Sequence, residues 1–326
     1  MSSISLVGRR ALLRTAAALP VAGACARPAW SQLLKGQTTT LVVPYAAGGG
    51  GDTFGRLFAA ELSAATESNV IVENRVGANG VIGLQSVMHA PPDGRTLAFT
   101  FGSLALVQRE SMKNPPVDIL RDLAPVARVI EGRVVMIVSP KMQWKTLGEF
   151  LEDARRNPGK YSYADYGDLA FANLIAVTGI KMNRVPYKGG APAIADVMGG
   201  HVDISTNAIA ASYSALRGGK VRALAVSGDA RMEELPDVPT FTEFVPRYRS
   251  LNYLLGLFAP LKTPPEIVQQ IYNRTAEVLK QPRVQKEIAS RFGVAAPLGP
   301  GEFRALLESE APIIVAALKA AGFKAE

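Results

Sequence analysis

The groups best placed to do chemistry in this chain belong to the backbone. Pro44-Tyr45-Ala46-Ala47 leads into four consecutive glycines, Gly48 to Gly51, followed by Asp52 and Thr53. Glycines let a chain fold tightly enough to aim several N–H groups into one concavity, and a helix starting there adds partial positive charge. Such a turn suits a carboxylate or a phosphate. No Lys-Ser/Thr pair follows, so the loop is not a nucleotide P-loop, and its spacing is not Gly-x-Gly-x-x-Gly. A plain connection, with Asp52 capping the helix, is the alternative reading.

Catalytic side chains are scarce. The two histidines are His89, before a proline turn, and His201, in a Gly-Gly-His turn. Neither has the helical spacing that binds zinc. No Gly-x-Ser-x-Gly elbow occurs. The single cysteine, Cys25, lies near the N-terminus, so a processed chain has no thiol for a disulfide, a metal or a nucleophile. The expectation is a protein that is not an enzyme and uses neither cofactor nor metal.

Residues 1–31 read as a cleaved export signal. Arg9-Arg10-Ala11-Leu12-Leu13-Arg14 precedes an apolar stretch, and Ala29-Trp30-Ser31 offers small residues before a cut at Gln32. The arginine pair fits a twin-arginine route as well as an ordinary Sec route, and both stay open. Four of the 36 basic residues and none of the 28 acidic ones lie in this leader, so its removal halves the formal charge of +8. What remains is mild and scattered, which argues against nucleic acid as a partner. No apolar run reaches the roughly 18 residues of a membrane span. The expected location is the periplasm.

The elements that must position the glycine turn alternate in type. Leu41-Val42-Val43, Val70-Ile71-Val72 and Leu97 to Phe101 read as strands separated by helices over 53–65 and 81–89. The pattern restarts after Asp122, with strands at 134–138, 161–164, 182–185, 203–206 and 221–226 and helices between them. Another strand over 252–259 precedes a tail read as helical. The expected fold is α/β and two-lobed, a periplasmic-binding-protein-like clamshell whose lobes are mostly parallel sheets flanked by helices. Lobe one would take residues 32–133 and 253–326, including the terminal helices, and lobe two 134–252. Loops after parallel strands open on one side. Gly48–Thr53, Gly77–Gly80 and Gly102-Ser103 would then face Asp165–Asp168, Tyr187–Gly190 and Asn207 across a cleft.

Ordered segments from Thr39 to the C-terminus resemble the periplasmic receptors of the tripartite tricarboxylate transporter family, also called Bug receptors. They include Val43-Pro44-Tyr45 with the glycines and Asp52, Val72-Glu73-Asn74-Arg75, Val185-Pro186-Tyr187-Lys188-Gly189-Gly190 and Gly199-Gly200-His201-Val202-Asp203. The resemblance implies a receptor for a small organic acid (a carboxylate, an amino acid or an aromatic acid) that closes by hinge motion and serves membrane transporter subunits. A monomer is expected. A ligand sensor feeding a signalling receptor is the alternative. The resemblance implies one ligand carboxylate at Tyr45, Ala46, Gly48, Gly49, Asp52 and Thr53, with Ser103 nearby. The Tyr45 hydroxyl, where Phe is more frequent, is expected to reach ligand or water.

The second lobe departs from the family pattern. Where hydroxyl residues and a histidine are usual, this chain has Tyr163-Ala164-Asp165-Tyr166-Gly167-Asp168, a shorter loop with two carboxylates. Asp165, Gly167, Asp168 and Asn207 are the candidate contacts there. Carboxylates facing a ligand carboxylate repel it by a few kcal/mol at ~4 Å and an effective dielectric near 20. Three readings stay open: a ligand with a cationic or neutral end here, Asp168 as a helix cap, or weakened binding.

Overall fold

Leu41, Val42 and Val43 are fully buried, as a central strand flanked on both faces requires. In the computed structural model, which describes residues 36–102, 116–166, 169–249 and 252–320, they belong to β1 (Thr38–Val43). The leader, Ser103, Gly167 and Asp168 lie outside the described residues. The glycine turn follows β1, and α1 (Gly50–Thr66) starts three residues earlier than its apolar pattern suggests. After it come β2 (Asn69–Asn74), a 3-10 turn at Ala78–Gly80, α2 (Val81–Met88) and β3 (Thr96–Phe101). β1 pairs in parallel with both β2 and β3.

A short α3 (Ile119–Asp122) leads to β4 (Leu123–Gly132) and, after Arg133 alone, β5 (Val134–Val138). There follow α4 (Leu147–Arg156), β6 (Ser162–Asp165), α5 (Leu169–Thr178), β7 (Asn183–Pro186), α6 (Gly190–Gly199), β8 (Ile204–Ala208), α7 (Ile209–Arg217), β9 (Arg222–Val226) and α8 (Phe241–Phe244). The chain then returns through β10 (Tyr253–Pro260), α9 (Pro265–Leu279), α10 (Pro282–Ala289), β11 (Gly293–Leu298) and α11 (Pro300–Ala320).

Two sheets result, with strand orders β11-β4-β10-β3-β1-β2 and β7-β6-β8-β5-β9. Both are mixed, which corrects the expectation of mostly parallel sheets. β10 runs antiparallel to β3 and β4, and β11 antiparallel to β4. In the second sheet β5 runs antiparallel to β8 and β9. In the first sheet, two missed strands contribute to the error; in the second, the strands were read and only their directions differ. β4 carries Pro125, Arg128 and Glu131, and β11 is short and rich in alanine and proline, so neither reads as a buried strand.

The lobes are joined where β4 passes into β5 and where the chain returns near Asn252. Side chains tie these crossings together. Asn252 Nδ2 donates to Glu131 Oε1 at 3.2 Å, Ser227 Oγ donates to Asn252 Oδ1 at 2.9 Å, and Val134 N–H donates to Ser227 Oγ at 3.0 Å. Arg133 donates to the carbonyls of Ser227 and Ala230. The last helix does not stay on lobe one as expected: α11 packs on both β4 and α5. The reason is the sequence of α5, Leu-Ala-Phe-Ala-Asn-Leu-Ile-Ala-Val-Thr, apolar on every side and in need of a second cover.

Gly256 lies mid-β10 where a Cβ would overlap the buried ring of Phe303 from α11 and approach Ala127 O to 3.0 Å. Gly256→Ala is expected to cost about 1–3 kcal/mol, an overpacking penalty, read as a lower urea midpoint with an unchanged slope.

Candidate functional site

β1 ends in Pro44 and delivers Tyr45 into lobe one, where it is buried. Its hydroxyl shares a 2.9 Å hydrogen bond with Thr100 Oγ1 and accepts the Phe101 N–H at 3.3 Å. Burial holds the phenol above its ordinary range despite these bonds. The hydroxyl expected to reach a ligand is thus spent inside the lobe, and only the ring faces the cleft.

Asp52 is equally committed. Its buried carboxylate accepts the Gly48 N–H at 2.9 Å, Asn74 Nδ2 at 2.9 Å and the Arg56 guanidinium, whose nearest contact is 2.9 Å. Burial alone would raise its pKa. The bonds from Arg56, Gly48 and Asn74, with the Arg56 charge, outweigh burial and hold the carboxyl below its usual range. Asp52 fastens the turn from the helix side, and Gly48 takes the left-handed conformation (φ 81°) that the turn needs. Thr53 N–H donates to Gly49 O as part of the helix, and Thr53 lines neither of the two cavities described below.

Across the seam the second lobe presents a matching glycine turn. Gly189 has φ 150°, and a Cβ there would stand 3.1 Å from Ala46 N of lobe one. The lobes touch directly: Ala46 N–H donates to Lys188 O at 3.2 Å. Three helices start at this seam, α1 after Gly49, α6 after Gly189 and α7 after Ala208, and none of these caps provides a side-chain acceptor. Their positive ends converge on a space of about 10 Å³, lined by Gly49 to Gly51, Gly190, Asn207, Ala208 and the rings of Tyr45, Phe101 and Tyr166. That is about one water molecule's room.

A larger cavity of about 350 Å³ adjoins it, sharing Tyr45 and Tyr166 as walls. Pro44 and Gly77 to Gly80 close it from lobe one, and Pro186, Tyr187 and Lys188 from lobe two. All four residues from Gly77 to Gly80 have positive φ, including Ala78 (44°) and Asn79 (49°). Non-glycine residues held this way store strain, which is characteristic of ligand-facing segments.

Asp165 is buried and pairs with Arg184 of β7, and it lines neither cavity. One of the two carboxylates expected to confront a ligand is therefore neutralised by a neighbour. Asn207, 1% exposed, donates to Ser205 Oγ at 2.9 Å and accepts from Tyr166 OH at 3.0 Å. The structure brings Tyr45, Ala46, Gly48, Gly49 and Asn207 to the seam and leaves Asp52, Thr53 and Asp165 behind it. Tyr166, Tyr187 and Lys188 were not among the candidate contacts. They do lie in the Asp165–Asp168 and Tyr187–Gly190 segments expected on the facing rim, without having been named as contacts.

A family model described as the tripartite tricarboxylate transporter family receptor matches residues 55–298, and the chain belongs to that family of receptors. Among its relatives is the UPF0065 protein of the tcbD-tcbE intergenic region of Pseudomonas sp. strain P51, 31% identical, with 93% of this chain and 92% of that one covered. Of solved structures, the periplasmic binding protein BugD is similar with a TM-score of 0.83 and 26% identity, over 89% of this chain and 99% of that one. An R. palustris protein solved with adipate gives 0.84 and 27%, over 89% and 98%. No helix among the described residues is long and apolar enough to cross a membrane.

Asp52→Asn tests the fastening role. A carboxyl whose pKa is depressed by folding stabilises the fold above its unfolded value, and the contribution is lost as pH falls through the folded value. At pH 7 the variant is expected to lose about 1–3 kcal/mol. The gap to wild type should narrow below roughly pH 4, where the free carboxyl protonates, in urea titrations across pH.

Proposed function

We propose that this protein is an extracytoplasmic receptor that captures a small organic acid between its lobes and carries it to a tripartite tricarboxylate-type transporter. The observation that carries the reading is the convergence of three uncapped helix N-termini on a glycine-lined seam beside a cavity of about 350 Å³. Such an arrangement attracts negative charge without a dedicated basic side chain. The family match supports it, as does the fold shared with a structure solved with adipate.

In this reading, lobe one (32–133 and 253–326) and lobe two (134–252) close around the acid after export directed by residues 1–31. The small seam space holds a bridging water, which passes the pull of Gly49, Gly50 and Gly190 to a carboxylate in the larger cavity. Ala46 and Gly48 shape the rim, Asn207 positions Tyr166, and Asp52 acts only through the turn it fastens. Binding stabilises the closed form without turnover, and closure is what the membrane subunits read.

Two measurements test this. In a thermal-shift screen of organic acids, a ligand at 100 times its dissociation constant should stabilise the fold by about 2.7 kcal/mol, and a panel without any shift would count against the receptor reading. Gly50→Ala addresses closure itself. The new Cβ would stand 2.6 Å from the Ala208 Cβ across the seam, so the lobes cannot seat. Its unliganded melting temperature should match wild type while binding falls by at least about tenfold.

A further inference from the structure

We propose that the acid is an aromatic monocarboxylate, its ring against Tyr45, Tyr166 and Tyr187 and its carboxylate toward Lys188 and the glycine seam. The inference rests on the receptor reading and narrows it.

The three tyrosines look polar in sequence, yet each hydroxyl is already used. Tyr45 is bonded to Thr100 and Phe101, Tyr166 donates to Thr206 O at 2.7 Å and to Asn207, and Tyr187 donates to Asp196 Oδ2 at 2.7 Å. Burial and the Asp196 carboxylate push the Tyr187 phenol up to about 12, which keeps its proton in place. What the three offer the cavity is ring surface. Pro44 and Pro186 add flat apolar walls. Aromatic rings meet other rings favourably edge-on or offset, so a planar unsaturated body fits these walls.

The charge count points the same way. Among the described residues lining the cavity, Lys188 is the one charged side chain; it is exposed and has no ion pair. Among those described residues there is no arginine and no carboxylate. One anionic group can therefore be matched, by Lys188 from one side and the helix N-termini from the other. The second carboxylate of a dicarboxylate would have to leave water for a wall of proline, tyrosine and the Gly77–Gly80 loop with no second cation among those residues, which is unfavourable for a charge.

Calorimetry of the full chain with benzoate, benzamide, adipate and succinate tests the assignment. Benzoate is expected to bind at least about tenfold tighter than either dicarboxylate, with benzamide weaker by a similar factor. Tyr187→Phe keeps the ring and should leave benzoate affinity within about twofold, whereas Tyr187→Ala should lower it about tenfold. Lys188→Gln should weaken benzoate by about fivefold and leave the unliganded melting temperature unchanged. Adipate or succinate binding as tightly as benzoate would overturn the aromatic assignment and leave the receptor reading standing. Equal binding of benzamide, an unaffected Lys188→Gln, or equal losses in the two Tyr187 variants would overturn it as well. Silence from all three acids would overturn the aromatic assignment, while the receptor reading would rest on the wider thermal-shift screen.

Discussion

Close approach of two backbones is the constraint on which the rest of this structure depends. At the seam, Ala46 donates to Lys188 O, a Cβ at Gly50 would collide with Ala208 of the opposite lobe, and one at Gly189 would crowd Ala46 N. Glycines at the starts of α1 and α6, and alanine ahead of α7, let the three helix starts come together. Like poles repel, so three positive helix ends meet at some electrostatic cost. Polarisable surroundings, a bridging water or an anion relieve it, and the glycines leave room for little more than that.

The machinery behind the seam is committed to holding it. Asp52 spends its carboxylate on Gly48, Asn74 and Arg56, and Tyr45 spends its hydroxyl on Thr100 and Phe101. Residues that look like ligand contacts are thus fixtures that set where backbone N–H groups point. This division follows from energetics: a buried polar group left without a partner costs more than a satisfied one gains. A receptor whose lobes open and close needs its polar side chains satisfied within each lobe.

Much of the architecture was legible because it is written in period and punctuation. The strands at Leu41, Val70, Leu97 and Val134 are short β-rich runs bounded by glycine or proline turns, and they lie where those patterns put them. β4 and β11 escaped because they are defined by distant partners, β4 by β10 and β11 by β4, which no local window contains. At the site, the backbone turns were readable from glycine spacing. The fates of side chains were not: whether the Asp165 carboxylate meets a ligand depends on Arg184, which reaches it from the neighbouring strand β7. The cleft between these loops was legible, but its tyrosine lining was not, since which side chains face it depends on bonds made elsewhere in each lobe.

The strand order of the first sheet sets a schedule for biosynthesis. β10 lies between β3 and β4, and β11 covers the other side of β4, so the sheet cannot be completed until the ribosome has made residues close to the C-terminus. The second sheet needs only strands between Val134 and Val226, but α5 of that lobe lacks the cover of α11 until residues 300–320 are made. Pairings as distant in sequence as those of β10 and β11 form slowly. The first sheet of the nascent polypeptide therefore stays unfinished, open to chaperones, until β10 and β11 pair and α11 docks.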